Sequence, residues 1–222
     1  NVFQTIGAKE FFSKKIQEKS RIILNPIHEA YLNMPSAVVR RKAVVQSGRL
    51  VRSKNQLMLL EAFETVHEAH PEYVLELYGD DSGDGTKELL EQFIADQQAS
   101  GYIKLMGACN NLEERIADAS IFAFSSDFEG LPNALMEAMA LGLPVISTDC
   151  PCGGPATLIQ NEVNGLLVPV GDKEAMAEGI KRLIEDSELA LNLGEKARDI
   201  SKLANTQTVC EQWKSYIEEI CK

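Results

Sequence analysis

The densest run of chemistry-bearing residues is Ser125-Ser126-Asp127-Phe128-Glu129-Gly130-Leu131-Pro132-Asn133-Ala134-Leu135-Met136-Glu137. It reads as a strand end, a tight glycine turn and a helix start. Pro132 suits a first helical turn, where its missing N–H would have no partner in any case. The amides of Asn133, Ala134 and Leu135 then point at the crevice beyond the strand end and form an anion site suited to phosphate. Glu137 lies four residues after Asn133, on the same helix face and about 6 Å along from the phosphate. A carboxylate there suits the paired hydroxyls of a ribose. Glu129, on the loop side of the same amides with Gly130, would face whatever hangs from the other end of a diphosphate. Two carboxylates bracketing a diphosphate describe a site for a nucleotide-sugar, sugar near Glu129 and ribose near Glu137. Taken singly, the two are ordinary solvated acids at the positive end of a helix dipole. The glycine turn and the asparagine between them favour the site.

A second group is Gly48-Arg49-Leu50 with Lys54 shortly after. Both cations follow a strand, at its carboxyl end, in an otherwise acidic chain. Charge-assisted contacts to phosphate need such groups. By themselves they would be surface cations capping a loop.

The elements that must hold these residues alternate from residue 43 onward. Strands are expected over 43–47, 73–78, 102–106, 121–124, 144–147 and 165–168, with helices over 56–69, 86–98, 112–119 and 133–141 and a helical turn over 156–160. Leu57, Leu59, Leu60, Phe63 and Val66 fall near helical spacing. Near-continuous apolar strands between helices imply an α/β fold: a doubly wound, Rossmann-like parallel sheet of about six strands with helices on both faces. Ligands of that architecture bind beyond the carboxyl ends of the strands, so the loops after Ser47, Tyr78, Met106, Phe124, Ser147 and Val168 are where chemistry is expected. Before the sheet, a strand end, a helix over 7–19 and a short strand over 21–24 lead into a loop-like linker over 25–42. Residues 172–222 read as two or three helical segments, with Trp213, Tyr216 and Ile217 on a packing face.

The chain has 222 residues, 45% of them hydrophobic, enough for a sizeable core. Its 22 basic and 33 acidic residues give a formal charge of −11, which repels nucleic acid and anionic lipid as a whole. The one dense basic cluster, Arg40-Arg41-Lys42, reads as part of a solvated linker. No apolar run is long enough to span a bilayer, and no basic and apolar leader opens the chain. A first residue other than Met suggests a piece of a longer protein. The five cysteines, odd in number and irregular in spacing, argue for a reducing compartment rather than a disulfide framework.

Asp80-Asp81-Ser82-Gly83-Asp84-Gly85 followed by Glu91 imitates a calcium loop. A strand precedes it where a helix is needed, and Lys87 stands at a normally aliphatic position, so a strand-to-helix turn with an acidic helix start is expected. His67 and His70 share a helix face but read as exposed helix-end residues rather than a metal pair. No metal site is expected. Gly48-Arg49-Leu50-Val51-Arg52-Ser53 lacks the glycine spacing that a dinucleotide dehydrogenase needs.

The string Glu129-Gly130-Leu131-Pro132-Asn133-Ala134-Leu135-Met136-Glu137-Ala138 resembles the E-x7-E signature of the large retaining glycosyltransferase family typified by sucrose synthase and bacterial polysaccharide transferases, the group 1 (family 4 type) glycosyl transferases. The resemblance extends through Leu141-Gly142-Leu143-Pro144-Val145-Ile146-Ser147-Thr148-Asp149-Cys150-Pro151 and Asn164-Gly165-Leu166-Leu167-Val168-Pro169, and covers most of residues 43–172. It implies the two-domain GT-B fold, with residues 43–172 as the nucleotide-sugar-binding domain, 1–42 as the end of an acceptor domain plus linker, and 173–222 as helices packing back. Val2-Phe3-Gln4-Thr5 then looks like the last strand of that other domain. The resemblance implies a hexosyl transfer from a UDP- or GDP-sugar to an acceptor hydroxyl, on a sugar or lipid-linked acceptor held by the N-terminal domain. Retention of configuration and no metal or other cofactor are part of it. It implies Glu129, Arg49 and Lys54 as candidate catalytic residues, with Gly48, Gly79, Met106, Gly107, Gly130, Asn133, Ala134, Leu135 and Glu137 completing the donor site. A cytoplasmic enzyme, peripheral at the inner membrane face in its full length and inactive as this piece alone, is the corresponding expectation. A nucleotide-sugar epimerase of related fold, or a nucleotide-binding module without catalysis, would share the sheet. Where family members often carry a glutamate, at Thr157 or as Arg-Glu after the proline, this chain has Ala156-Thr157, which argues against an acidic role for that segment.

Overall fold

A computed structural model describes residues 1–37 and 39–221; the parts of the expected linker and C-terminal helices that fall on Val38 and Lys222 lie outside them. Along the chain, β1 (Val2–Phe3), α1 (Ile6–Glu10), α2 (Lys14–Glu18), β2 (Arg21–Ile22) and α3 (Glu29–Leu32) come first. The main domain follows as β3 (Arg41–Ser47), α4 (Gln56–Ala69), β4 (Val74–Tyr78), α5 (Thr86–Asp96), β5 (Ile103–Gly107), α6 (Leu112–Ile116), β6 (Ala119–Phe124), α7 (Asn133–Ala140), β7 (Val145–Thr148), α8 (Gly154–Leu158) and β8 (Leu166–Val168). Helices α9 (Lys173–Glu185), α10 (Ser187–Ala197), α11 (Ile200–Leu203) and α12 (Thr206–Ile220) complete it.

The six strands β3 to β8 form one parallel sheet in the order β5-β4-β3-β6-β7-β8. This is the doubly wound, Rossmann-like arrangement, two halves running outward from a central pair. The apolar strands are two-faced. Val44, Ile121, Ala123 and Ile146 pack under α4 and α9, while Val45, Phe122, Phe124 and Val145 pack under α7. β1 and β2 pair parallel in a separate two-stranded sheet, and Ile23 beside it packs on Val209 and Tyr216 of α12.

Several boundaries move, each for a visible reason. The helix expected over 7–19 breaks after α1: Gln17 Nε2 donates to the carbonyls of Glu10 (3.1 Å) and Phe12 (2.6 Å), and Ser13 restarts the chain as the N-cap of α2. The helix expected over 112–119 stops at Ile116, because Ala119 is taken into β6 opposite Arg41. The loop-like linker contains α3, whose first turn His28 caps by accepting from the Ala30 amide at 3.3 Å. The C-terminal region has four helices among the described residues rather than two or three.

The basic cluster is not a solvated linker. Arg41 opens β3, and Arg40 donates to the carbonyls of Ala119 (2.9 Å) and Gly142 (2.7 Å). Arg41 donates to Glu76 (2.8 Å) and Asp118 (2.9 Å), and Tyr78 hydroxyl donates to the other Glu76 oxygen at 2.8 Å. Burial pushes the Tyr78 hydroxyl up to about 12, and the Glu76 carboxylate adds to it. Nor are the histidines exposed helix ends. The His67 ring stacks on Tyr102 with centroids 3.6 Å apart, and His70 meets Glu185 at 3.0 Å.

Because Glu76 is only 9% exposed, Arg41→Ala leaves a buried carboxylate unpaired. It should lower the unfolding free energy by about 3 kcal/mol, and Arg41→Met with Glu76→Gln should recover most of that. Urea titration of the three proteins checks it; an unchanged midpoint for Arg41→Ala would show the cluster contributes nothing.

Candidate functional site

The sheet splits at β3 and β6. The chain leaves β3 for α4 on one face and leaves β6 for α7 on the other, so a crevice opens between the two loops, where doubly wound sheets bind ligands. Both groups of residues singled out by spacing lie there: Gly48 to Lys54 after β3, and Ser125 to Asn133 after β6.

Three glycines build the β3 side. Gly48 N donates to the Tyr78 carbonyl (2.9 Å) and Gly79 N to the Gly107 carbonyl (3.0 Å). Gly79 sits at φ 155°, and a Cβ there would lie 1.9 Å from the Gly48 oxygen. Only glycine permits that approach. Gly48, Gly79 and Gly107 thus form one rim, with Met106, 44% exposed, beside them. The acidic loop behind the rim is the expected strand-to-helix turn. Asp81 accepts from the Gly83 amide at 2.8 Å, and Asp84 accepts from the amides of Arg52 (3.0 Å) and Thr86 (3.1 Å). Those backbone bonds hold the Asp84 carboxyl far below its ordinary range.

Lys54 closes a short 3-10 turn, Arg52–Lys54. Asn55 follows at φ 45°, and its amide donates to Asp127 at 2.7 Å, while Asp127 N donates to the Ser53 carbonyl at 2.9 Å. The two loops are therefore tied together. Lys54 Nζ pairs with the Glu129 carboxylate and stands 5.1 Å from the Phe124 ring centroid. Ser126 hydroxyl donates to the same Glu129 oxygen at 2.8 Å. The Glu129 backbone is held by residues after β7: its N–H donates to the Pro151 carbonyl (2.7 Å) and its carbonyl accepts from Cys152 N (2.9 Å). A Cβ on Gly154 would lie 1.6 Å from the Gly130 oxygen, so the Gly130 turn rests directly on the start of α8. Arg49 is exposed and makes no ion pair among the described residues.

The start of α7 differs from the sequence expectation. Pro132 is the N-cap of α7, one position before the first turn, and its carbonyl accepts from both Leu135 N and Met136 N at 3.2 Å. The Leu135 side chain is fully buried, and its amide is bonded to Pro132 rather than free as expected. The amides of Asn133 and Ala134, in the same turn, donate to no partner among the described residues.

Two partners were not legible in the sequence. Asn25 donates to the Asn133 side chain at 2.9 Å and accepts from Gln4, so the N-terminal segment reaches the tip of α7. No pattern pointed to either residue. α3 brings Tyr31 and His28 to Glu137. Burial raises the Glu137 carboxyl above the usual carboxylate range and the Glu113 charge adds to this, against the Tyr31 hydroxyl bond and His28. Burial and the Glu137 charge likewise raise the Tyr31 hydroxyl.

The strand order and the crevice at its switch point define a Rossmann-like α/β domain. Residues 34–200 match the family model described as glycosyl transferases group 1, and the chain belongs to that family. It is 32% identical over 199 residues to an exopolysaccharide phosphotransferase of Streptomyces coelicolor, covering 89% of this chain and 20% of that protein. It is 30% identical over 220 residues to the UDP-N-acetylglucosamine–peptide N-acetylglucosaminyltransferase GtfA subunit of Streptococcus pneumoniae, covering 96% and 42%. The crystal structure of pneumococcal O-GlcNAc transferase GtfA with UDP and GlcNAc superposes with a TM-score of 0.83 at 26% identity, covering 99% of this chain and 45% of that one. The chain therefore spans less than half the length of these relatives. None of its helices, among the described residues, is long and apolar enough to cross a membrane.

The raised Glu137 gives a signed pH dependence. Above the ordinary carboxylate value the unfolded chain has lost this proton and the folded chain still holds it. Stability from this group is thus complete at low pH and is lost as pH rises through the folded value. Glu137→Gln should flatten that part of the profile, read as urea midpoints from about pH 4 to 7. A variant with the wild-type slope would assign the proton elsewhere.

Proposed function

We propose that the chain is the donor-binding part of a retaining glycosyltransferase that passes a sugar from a UDP- or GDP-sugar to an acceptor hydroxyl. The observation that carries the reading is the Lys54–Glu129 ion pair at the mouth of α7, beside the unbonded amides of Asn133 and Ala134 and one turn before Glu137. Arg49, Lys54 and those amides hold the diphosphate; Gly48, Gly79, Met106, Gly107 and Gly130 shape the walls; Glu137 takes the ribose hydroxyls. Glu129 orients the sugar and stabilises positive charge at its anomeric carbon. The bond from that carbon to the diphosphate oxygen breaks, the acceptor oxygen bonds on the same face, and its proton leaves with the diphosphate. Positioned cations and amides stabilise the departing charge without a metal. That the pneumococcal relative was crystallised with UDP supports UDP as the nucleotide. The acceptor, a sugar or a lipid-linked one, belongs to an N-terminal domain, so these 222 residues should bind donor without transferring it. A lipid-linked acceptor would hold the full-length enzyme at the inner face of the membrane.

Calorimetry with UDP, GDP and their sugars tests the assignment. Glu137→Ala should weaken the free nucleotide diphosphate about tenfold, the worth of one charge-assisted contact. Glu129→Ala should leave it nearly unchanged and weaken only the sugar-bearing form, and EDTA should change neither. Equal losses of free nucleotide in both variants would reverse the placement of sugar and ribose, and loss of binding in EDTA would require a metal.

A further inference from the structure

Two amide side chains stand in the interior among the apolar residues that β3 and α4 bury. Gln46 is 2% exposed and Gln56 is 1% exposed. Each has a buried amide oxygen with no partner among the described residues. An orphaned buried acceptor costs stability, so an apolar side chain of the same shape would serve the core better. The amide hydrogens show what the glutamines do instead. Gln56 Nε2 donates to the Arg49 carbonyl at 2.9 Å. Gln46 Nε2 donates to the Ser125 hydroxyl at 3.1 Å, and that hydroxyl donates to the Lys54 carbonyl at 2.8 Å. The two glutamines bracket the loop from either end. The carbonyls they hold, one directly and one through Ser125, belong to the two residues that carry its candidate phosphate-binding cations. Ser125, fully buried at the end of β6, carries the second tie across the split in the sheet.

We infer that Gln46 and Gln56 are positioning residues for the donor diphosphate, acting through the main chain of Lys54 and Arg49. The inference rests on the donor site proposed above and adds what aims its cations. Arg and Lys side chains lose rotamer freedom when they grip a ligand. A backbone fixed from the core limits that loss to the side chain and keeps both charges aimed at one point. The stability lost at the two orphan oxygens is the cost of that aim.

Gln46→Met and Gln56→Met remove the donor and the orphan oxygen together at nearly constant shape. Ser125→Ala breaks the Lys54 tie from the far side of the split. Melting temperature and affinities for UDP, GDP, uridine and guanosine are measured for each, with Arg49→Ala as the cation control. The glutamine variants should melt at or above the wild-type temperature. All three should bind the nucleoside diphosphate about tenfold more weakly, the worth of one charge-assisted contact, with nucleoside affinity unchanged. Wild-type affinity for the diphosphate in folded variants overturns the inference. So does an equal loss of diphosphate and nucleoside, or failure of both glutamine variants to fold, since each marks a structural role only. A wild-type chain that binds neither UDP nor GDP overturns the donor site itself. Binding lost in Arg49→Ala but kept in the glutamine and serine variants overturns the positioning role alone.

Discussion

The reversal of strand order at the β3–β6 pair is the constraint from which the crevice follows. At that switch point the chain leaves β3 for one face of the sheet and β6 for the other, and the gap between the departing loops is filled by neither. Everything chemical is then arranged by what those loops can reach. Glycines at 79 and 154 let neighbouring backbones touch. Asn55 and Asp127 lock one loop to the other, so the cations and the acids keep a fixed relation although they lie far apart in the chain.

Charge poses the next problem. A protein of formal charge −11 is a poor host for a diphosphate at long range, yet screening confines that penalty to about 8 Å at physiological salt. Within that distance local arrangement decides. Glu129 is already paired with Lys54 and bonded to Ser126, and Glu137 is half-buried, which raises its carboxyl above the usual carboxylate range. Glu129 is thus charge-paired, while Arg49 stands exposed. Under the proposed function, an arriving diphosphate competes for Lys54 and leaves the Glu129 carboxylate to meet the sugar.

Much of this was legible because it is local. Strand, glycine turn and helix start follow one another within residues 124–137, so their order is readable without reference to the rest of the chain. The strands were readable for the same reason: parallel strands buried on both faces are continuous apolar runs. Non-local facts were not. The order of the strands, and hence the meeting of Lys54 with Glu129, depends on pairing that no local pattern encodes. α3 is four residues long in a segment with two prolines, so neither it nor the Tyr31 contact with Glu137 could be foreseen. The Leu135 amide is bonded because the first turn of α7 is tight, with an i→i+3 bond to the Pro132 carbonyl that the residue types do not signal. Arg40 and Arg41 looked like solvated charge because their partners, backbone carbonyls and Glu76, come from distant strands and loops.

Backbone-amide NMR of the isotope-labelled chain, titrated with UDP and separately with GDP, tests the central claim most directly. One of the two nucleotides should shift the amides of Arg49, Gly79, Gly130, Asn133 and Ala134 together, along one saturation curve and equally in EDTA. Shifts confined instead to the acidic cleft between α4 and α9, around Glu61, Glu68 and Glu178, or no shift at the crevice with either nucleotide, would contradict the assignment of a donor site to the split between β3 and β6.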